Sequence, residues 1–306
     1  MNLSIGKWFE ALIDWFLANL GWFFDGTAWL TSQIVGGVEY ALVALHPLVI
    51  VAVLAAVAAV MTRSLPVTLF STVAFLLIIS MNLWLETLSS LAIVVVSVAA
   101  ALLIGVPLGI WAALSSSVST FVRPVLDLMQ AMPVFVYLIP AVFFFGVGTV
   151  PGIAATIVFS IPPAVRLTEL GIRQLDSELL EAAEAFGAKK GLTLRDVQLP
   201  LAFPSIMVGV NQVIMLALSM VVVAGMVGAG GLGGVVVQGV AQLDTARGFE
   251  GGLAVVILAV YLDRVTGGAS SLAGWLRKAK RLRTERTAPA PAAGAPGINA
   301  DAAVVH

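Results

Sequence analysis

Between Thr87 and Leu114 no residue carries a charge, and that single stretch excludes most of what a chain can become. A helix rises about 1.5 Å per residue, so about 20 apolar residues cross the hydrocarbon core of a bilayer. This stretch is longer than that, and others approach or exceed the same length. We read spans at about 41–61, 65–82, 87–114, 130–150, 152–168, 203–227 and 246–264. Composition removes the soluble alternative. The residues are 60% hydrophobic and 11% charged, against about 25% charged in soluble domains. The expected fold class is an all-α membrane protein with about seven transmembrane helices. Trp84, Trp111 and Trp275 fall near or just beyond the expected span ends, where amphipathic rings settle at the interface.

Charge placement gives an orientation. Arg63, Arg123, Arg166, Arg173, Lys189, Lys190 and Arg195 share one side of the expected topology with Arg264, Arg277, Lys278, Lys280, Arg281, Arg283 and Arg286. Only Lys7 and Arg247 fall elsewhere. Because cytoplasmic loops collect Lys and Arg, the expectation is N-terminus out and C-terminus in.

Residues 1–40 hold the one repeat. Trp8, Trp15, Trp22 and Trp29 fall seven apart, with Phe9, Phe16 and Phe23 after the first three. That period keeps the rings on one slowly drifting helical face. Lys7, Glu10, Asp14, Asp25, Gly21 and Gly26 interrupt the apolar run, so the segment is expected to lie in the membrane surface as an amphipathic region. It lacks the basic start of a secretory signal and is not expected to be one. Two accessory transmembrane helices are expected over 41–86 and a core of further spans over 87–272, with a cytoplasmic loop at 170–200. A basic and then disordered tail covers 273–306, since from Thr287 onward the chain is largely Ala, Pro and Gly.

Several signals of soluble chemistry fail on inspection. There is no cysteine, and His46 and His306 are far apart in sequence, so no metal site is expected. Gly228 to Gly233 spells G-x-G-x-x-G, but a long apolar helix, not a strand, precedes it. It reads as a glycine-rich break that lets the backbone turn and pack closely. No G-x-x-x-x-G-K-[ST] phosphate loop and no catalytic constellation occurs. No enzyme activity and no nucleic-acid partner are expected. Gly105-Val-Pro-Leu-Gly109 offers small residues for close helix contact. Two mildly polar faces are candidates for a translocation pathway. Met129, Gln130, Met132 and Tyr137 stand at the start of the fourth expected span. Asn211, Met215 and Ser219 share a face of the sixth.

The longest water-compatible passage between spans is Asp176 to Pro200. Asp176 can cap a helix whose apolar face is Leu179, Leu180, Ala183 and Phe186, and Gly187 can stop it. Thr193-x-x-Asp196 offers the start of a second short helix that Pro200 limits. A small helix-turn-helix held between membrane spans is shaped to dock on something.

This passage resembles the signature loop of ATP-binding-cassette (ABC) importer permeases. That loop reads E-A-A, three residues, G, nine residues, I, one residue, L-P. Here it stands as Glu181, Ala182, Ala183, Gly187, Val197, Leu199 and Pro200, with every spacing kept and only Val197 departing. From about Leu88 to Thr266 the chain resembles the glycine betaine/proline/choline (ProU-type, ProW-like) permeases. The passages that carry the likeness are Arg123 to Pro140, Pro162 to Thr168, Asn211 to Met220, Gly228 to Gly233 and Gly252 to Arg264.

The resemblance implies a type I ABC importer permease core in a bacterial inner membrane, pairing as a homodimer. It implies a separate ATPase subunit gripping the loop from the cytosol and carrying the ATP and Mg, so this chain needs no cofactor. It implies an extracytoplasmic substrate-binding protein, and an osmolyte of the glycine betaine, proline or choline type as cargo. Another amino acid or small zwitterion, or an ATP-independent secondary transporter, are the alternatives.

Overall fold

A computed structural model describes residues 5–287, and all regular structure among them is helical. The tail expected beyond Thr287, with His306, lies outside the described residues. In chain order the helices are α1 (Ile5–Val43), α2 (Pro47–Thr62), α3 (Leu65–Ser80), α4 (Trp84–Leu114), α5 (Ser116–Ala131), α6 (Val134–Phe145), α7 (Thr149–Arg173), α8 (Ser177–Ala185), α9 (Lys190–Thr193), α10 (Leu199–Met226), α11 (Gly231–Ala241) and α12 (Thr245–Thr287). Four are individually long and apolar enough to cross a bilayer: α4, α7, α10 with its lead-in, and α12 to Gly268. Two bent pairs, α1 with α2 and α5 with α6, raise that number to six.

Local chemistry sets the breaks. The His46 ring accepts from the Leu48 N–H, and Pro47 opens α2, where a missing N–H costs nothing. Ser115 ends α4 and caps α5 by accepting from the Val118 N–H. Pro133 holds Met132 extended (ψ 135°), and α5 and α6 meet there at 97°. The single span expected over 130–150 is therefore corrected. Met129 and Gln130 end α5, Met132 is the joint, and Tyr137 lies in α6. The short apolar helix α11 was also not expected.

The core is α7 held between α4 and α10. A Cβ on Gly105 would stand 2.6 Å from the Ala164 Cβ, and one on Gly109 would stand 2.6 Å from the Val165 carbonyl oxygen. Only hydrogen fits at either position, so the small pair lets the two backbones meet, as its spacing suggests. The same buried core extends from α4 and α10 to α2, α3 and α12. Phe75 packs edge-on against Trp84 and Tyr261, and the Tyr261 hydroxyl donates to the Leu54 carbonyl at 3.0 Å.

The bundle has two unlike ends. At one, the glycine-rich turn between α10 and α11 closes over the starts of α4 and α7. Leu232 N–H donates to Ser90 Oγ (2.8 Å) and Gly148 N–H to the Val227 carbonyl (2.8 Å). Gly231, at φ +59°, packs so tightly on Ser90 that a Cβ would stand 2.5 Å from Ser90 Oγ. The turn-and-pack role read for Gly228 to Gly233 is what the backbone does. At the other end Arg173 donates to the Ala112 carbonyl (2.8 Å), Gly171 lies against Ser205, and Gly268 lies against Met61.

Along the side runs α1. Gly21 and Gly26, read as interruptions, sit inside an unbroken helix. Each costs about 1 kcal/mol relative to Ala, and ring packing outweighs that. Phe24 stacks on Phe144 at 4.4 Å, Phe16 meets Phe144 edge-on, and Val35 is buried with Ala92 and Ile93. Trp8, Trp15, Trp22 and Trp29 form the opposite, exposed face.

Candidate functional site

The passage between α7 and α10 folds as its residues dictate. Asp176 Oδ1 accepts from the Glu178 N–H at 3.0 Å and caps α8. At the far end Gly187 takes φ +75°. The Ala188 N–H then reaches back to the Ala183 carbonyl at 3.0 Å, a six-to-one bond that closes the helix. Glu181 and Ala182 are exposed, and Ala183 is half-buried. Leu179, Phe186 and Leu192 stand exposed, Phe186 at 93%. The apolar side of α8 thus has little cover from its own chain.

The second half departs from expectation. Thr193 is not a helix cap. It already lies in helical geometry (φ −57°, ψ −43°), and its hydroxyl donates back to the Lys189 carbonyl. α9 starts three residues earlier, at Lys190. Pro200 does not end a helix either. Residues Leu194–Gln198 form a π-helical turn that runs straight into α10, and Pro200 occupies the first turn of that helix. A proline clashes with the carbonyl four residues back, and a wider turn at a helix start accommodates it. Val197, Leu199 and Pro200 are half-buried at the root of α10. The seven loop residues therefore divide: four on the projecting helix and its stop, three on the stem that continues into a core span.

Beside this loop lies a charged cluster that sequence reading missed. Glu169, one turn before the end of α7, is 4% exposed. Its Oε1 accepts from Ser119 Oγ (2.7 Å) and Arg123 Nη2 (2.9 Å) and is ion-paired with Arg173 Nε (3.0 Å). One carboxylate thus ties the start of α5 to the end of α7, and Arg173 extends the tie to α4 through Ala112. Arg166 pairs with Asp127 next to it, and the groups line a cleft of about 310 Å³. The Glu169/Arg173 spacing of four was visible in sequence. The partners on α5 were not, because only the fold brings them there.

The pathway candidates fall into two places. Met132 and Tyr137 line an apolar cleft of about 400 Å³ with Phe9, Phe144 and Phe145, and the Tyr137 hydroxyl donates to the Met129 carbonyl across the α5–α6 bend. Gln130 is exposed at the end of α5. Met215 and Ser219 line a different groove, about 310 Å³, between α10 and α12. Asn211, on the same side of α10, donates to Asp263 Oδ1 (3.1 Å) and accepts from Thr266 Oγ1 (2.9 Å). Within one chain the two sets do not share a cavity. Among the described residues no group of acids, histidines or cysteines is arranged to hold a metal.

Comparison with known proteins fits this geometry. A family model described as binding-protein-dependent transport system inner membrane component matches residues 105–267. The chain is 52% identical over 200 residues to the glycine betaine transport system permease protein OpuAB of Bacillus subtilis, covering 65% of this chain and 71% of that one. It is 52% identical over 198 residues to the glycine betaine/carnitine transport permease protein GbuB of Listeria monocytogenes, covering 65% and 70%. Against the glycine betaine/proline betaine transport system permease protein ProW of Escherichia coli it is 48% identical over 194 residues, covering 63% and 55%. Among solved structures, an inward-facing form of the MetNI methionine ABC transporter superimposes with a TM-score of 0.56 at 21% identity, over 60% of this chain and 92% of that one. At that identity the likeness concerns the fold.

Proposed function

Because the chain belongs to the family of binding-protein-dependent transport system inner membrane components, we propose that it is the permease of an ATP-driven importer whose cargo is a small quaternary-ammonium osmolyte of the glycine betaine type. The observation that carries the transport mechanism is α8: a capped, closed helix with exposed Leu179 and Phe186, projecting from the end where Arg123, Arg166 and Arg173 gather. The cargo class is supported by relatives 48–52% identical over 63–65% of this chain, whose names carry glycine betaine, carnitine and proline betaine.

The chain does no chemistry of its own. ATP and Mg belong to a separate ATPase that seats α8 from the cytosol, and a binding protein delivers cargo at the glycine-turn end. Two copies of this chain pair in a bacterial inner membrane. Glu181 supplies polar contact to the ATPase, Ala182 and Ala183 allow close approach, and Gly187 fixes the turn. Movement of α8 reaches α10 through Val197, Leu199 and Pro200, because the π-turn joins the loop to that span without a break. ATP binding shifts the spans only to the extent that the ATPase prefers one arrangement of the docked loops.

Gentle purification of the tagged chain from native membranes tests the reading. An ATPase should come with it, and a betaine-loaded binding protein should stimulate its hydrolysis. A chain that comes out alone and carries betaine into liposomes without ATP would instead be a secondary transporter.

A further inference from the structure

The groove between α10 and α12 combines groups that helix packing alone does not require. Its walls are apolar, with Met215, Val256 and Val260 turned toward the opening, and one carboxylate, one guanidinium and one hydroxyl interrupt them: Asp263, Arg264 and Ser219. Asp263 lies five residues from the end of the candidate span Thr245–Gly268. An ionisable group near a span end faces water, a cavity or a partner. Asn211 orients it. Its amide nitrogen donates to Asp263 Oδ1 at 3.1 Å, while the Thr266 hydroxyl lies between the Leu262 carbonyl (2.6 Å) and the Asn211 carbonyl (2.9 Å). The other oxygen, Oδ2, stands 4.0 Å from Arg264 Nε, beyond hydrogen-bond range, and the two side chains are 38% and 63% exposed. Opposite charges are therefore held side by side without closing on each other, against a wall of methyl and thioether groups.

That arrangement complements a compact zwitterion whose cation is methylated. A carboxylate takes the fork of a guanidinium. A quaternary ammonium has no N–H to donate, so charge and dispersion contacts hold it and no directional acceptors are needed. Soft side chains such as Met215 pack well against its methyl groups. A primary ammonium can donate to Asp263, but it has no methyl groups to place against the apolar wall and so leaves that contact unused.

We propose that this groove is a cargo subsite on the permease. It takes a small quaternary-ammonium zwitterion with its carboxylate on Arg264, its cation beside Asp263 and its methyl groups against Met215, Val256 and Val260. Asn211 positions Asp263. The proposal rests on the importer reading and adds a place on the permease where cargo pauses between delivery and release.

The chain has no cysteine, so Ser219→Cys introduces a single thiol at the groove. The permease–ATPase complex, in phosphatidylglycerol nanodiscs, is labelled with a maleimide. Glycine betaine should slow labelling several-fold, and tetramethylammonium and glycine, each of which lacks one half of the fit, should slow it less. Adding Asp263→Asn or Arg264→Gln to Ser219→Cys should abolish the betaine effect. Arg264→Gln changes a side chain that is already 63% exposed, so it carries the test should Asp263→Asn fail to fold. Equal labelling with and without betaine overturns the proposal. So does protection that survives both charge substitutions, or protection that only added phosphatidylcholine provides, which marks a lipid site. ATP-driven betaine uptake by the unsubstituted complex separates the two levels. Uptake without protection removes the subsite alone, while ATP hydrolysis without betaine uptake removes the cargo assignment beneath it.

Discussion

Gly187 shows how much one residue can carry without touching anything. A Cβ there would meet nothing within 4 Å, so any penalty on substitution comes from φ +75° and not from crowding. A left-handed conformation costs a side-chain-bearing residue about 1–2 kcal/mol, with β-branched residues worst and asparagine tolerated best. Gly187→Val should therefore insert normally but lose uptake by about five- to thirty-fold, whereas Gly187→Asn keeps most of it. Equal uptake by both variants in transport assays would remove the backbone role. Gly109 is the opposite case. Its space is already filled by the Val165 carbonyl and the Thr168 side chain, so Gly109→Leu should lower the melting temperature followed by tryptophan fluorescence, by overpacking worth about 1–3 kcal/mol or more. Both glycines were legible as motif residues. Which one fails by strain and which by volume was not.

At the scale of elements, the loop and the charged tie work as a pair. α8 meets the rest of its chain chiefly at its ends, so Phe186→Ser should leave the melting temperature unchanged and reduce the ATPase recovered on purification. Undiminished recovery would place the docking contact elsewhere on the loop. Glu169 joins α5 to α7 beside the loop's origin. Glu169→Gln removes the charge and keeps the shape. Because Arg123 is 59% exposed and water can take over part of its solvation, the stability cost is about 2 kcal/mol or less. The larger effect should be on coupling, read as betaine imported per ATP hydrolysed. An unchanged ratio would make the tie purely structural. The α5–α6 elbow belongs to this scale too. Apolar content over 130–150 suggested one straight span, and the restriction that Pro133 places on Met132 was written in the sequence but outweighed by hydropathy.

For the whole molecule, the gathering of Arg123, Arg166 and Arg173 at the end opposite the glycine-rich turn predicts the membrane orientation. Leu243, 89% exposed in the turn before α12, and Phe186, 93% exposed after α8, mark the two sides. In intact cells an impermeant maleimide should label Leu243→Cys and spare Phe186→Cys, and the reverse pattern would invert the topology.

The sequence by itself determined that this chain lives in a membrane, that its core is helical, and that the passage from Asp176 to Gly187 forms a capped helix ending in a left-handed turn. Each follows from local facts: uninterrupted apolar length, side chains that bond the nearest free backbone groups, and a residue without a Cβ where φ must be positive. Only the tertiary structure decided what depends on meeting across the chain. It sets Glu169 against Ser119 and Arg123, and Asn211 against Asp263. It divides the two polar faces between separate clefts, and it carries the helix through Pro200 instead of ending it there. Those outcomes rest on which helices pack side by side and at what height. Spacing along one helix fixes a residue's face, but the neighbour that face meets is set by the bundle as a whole.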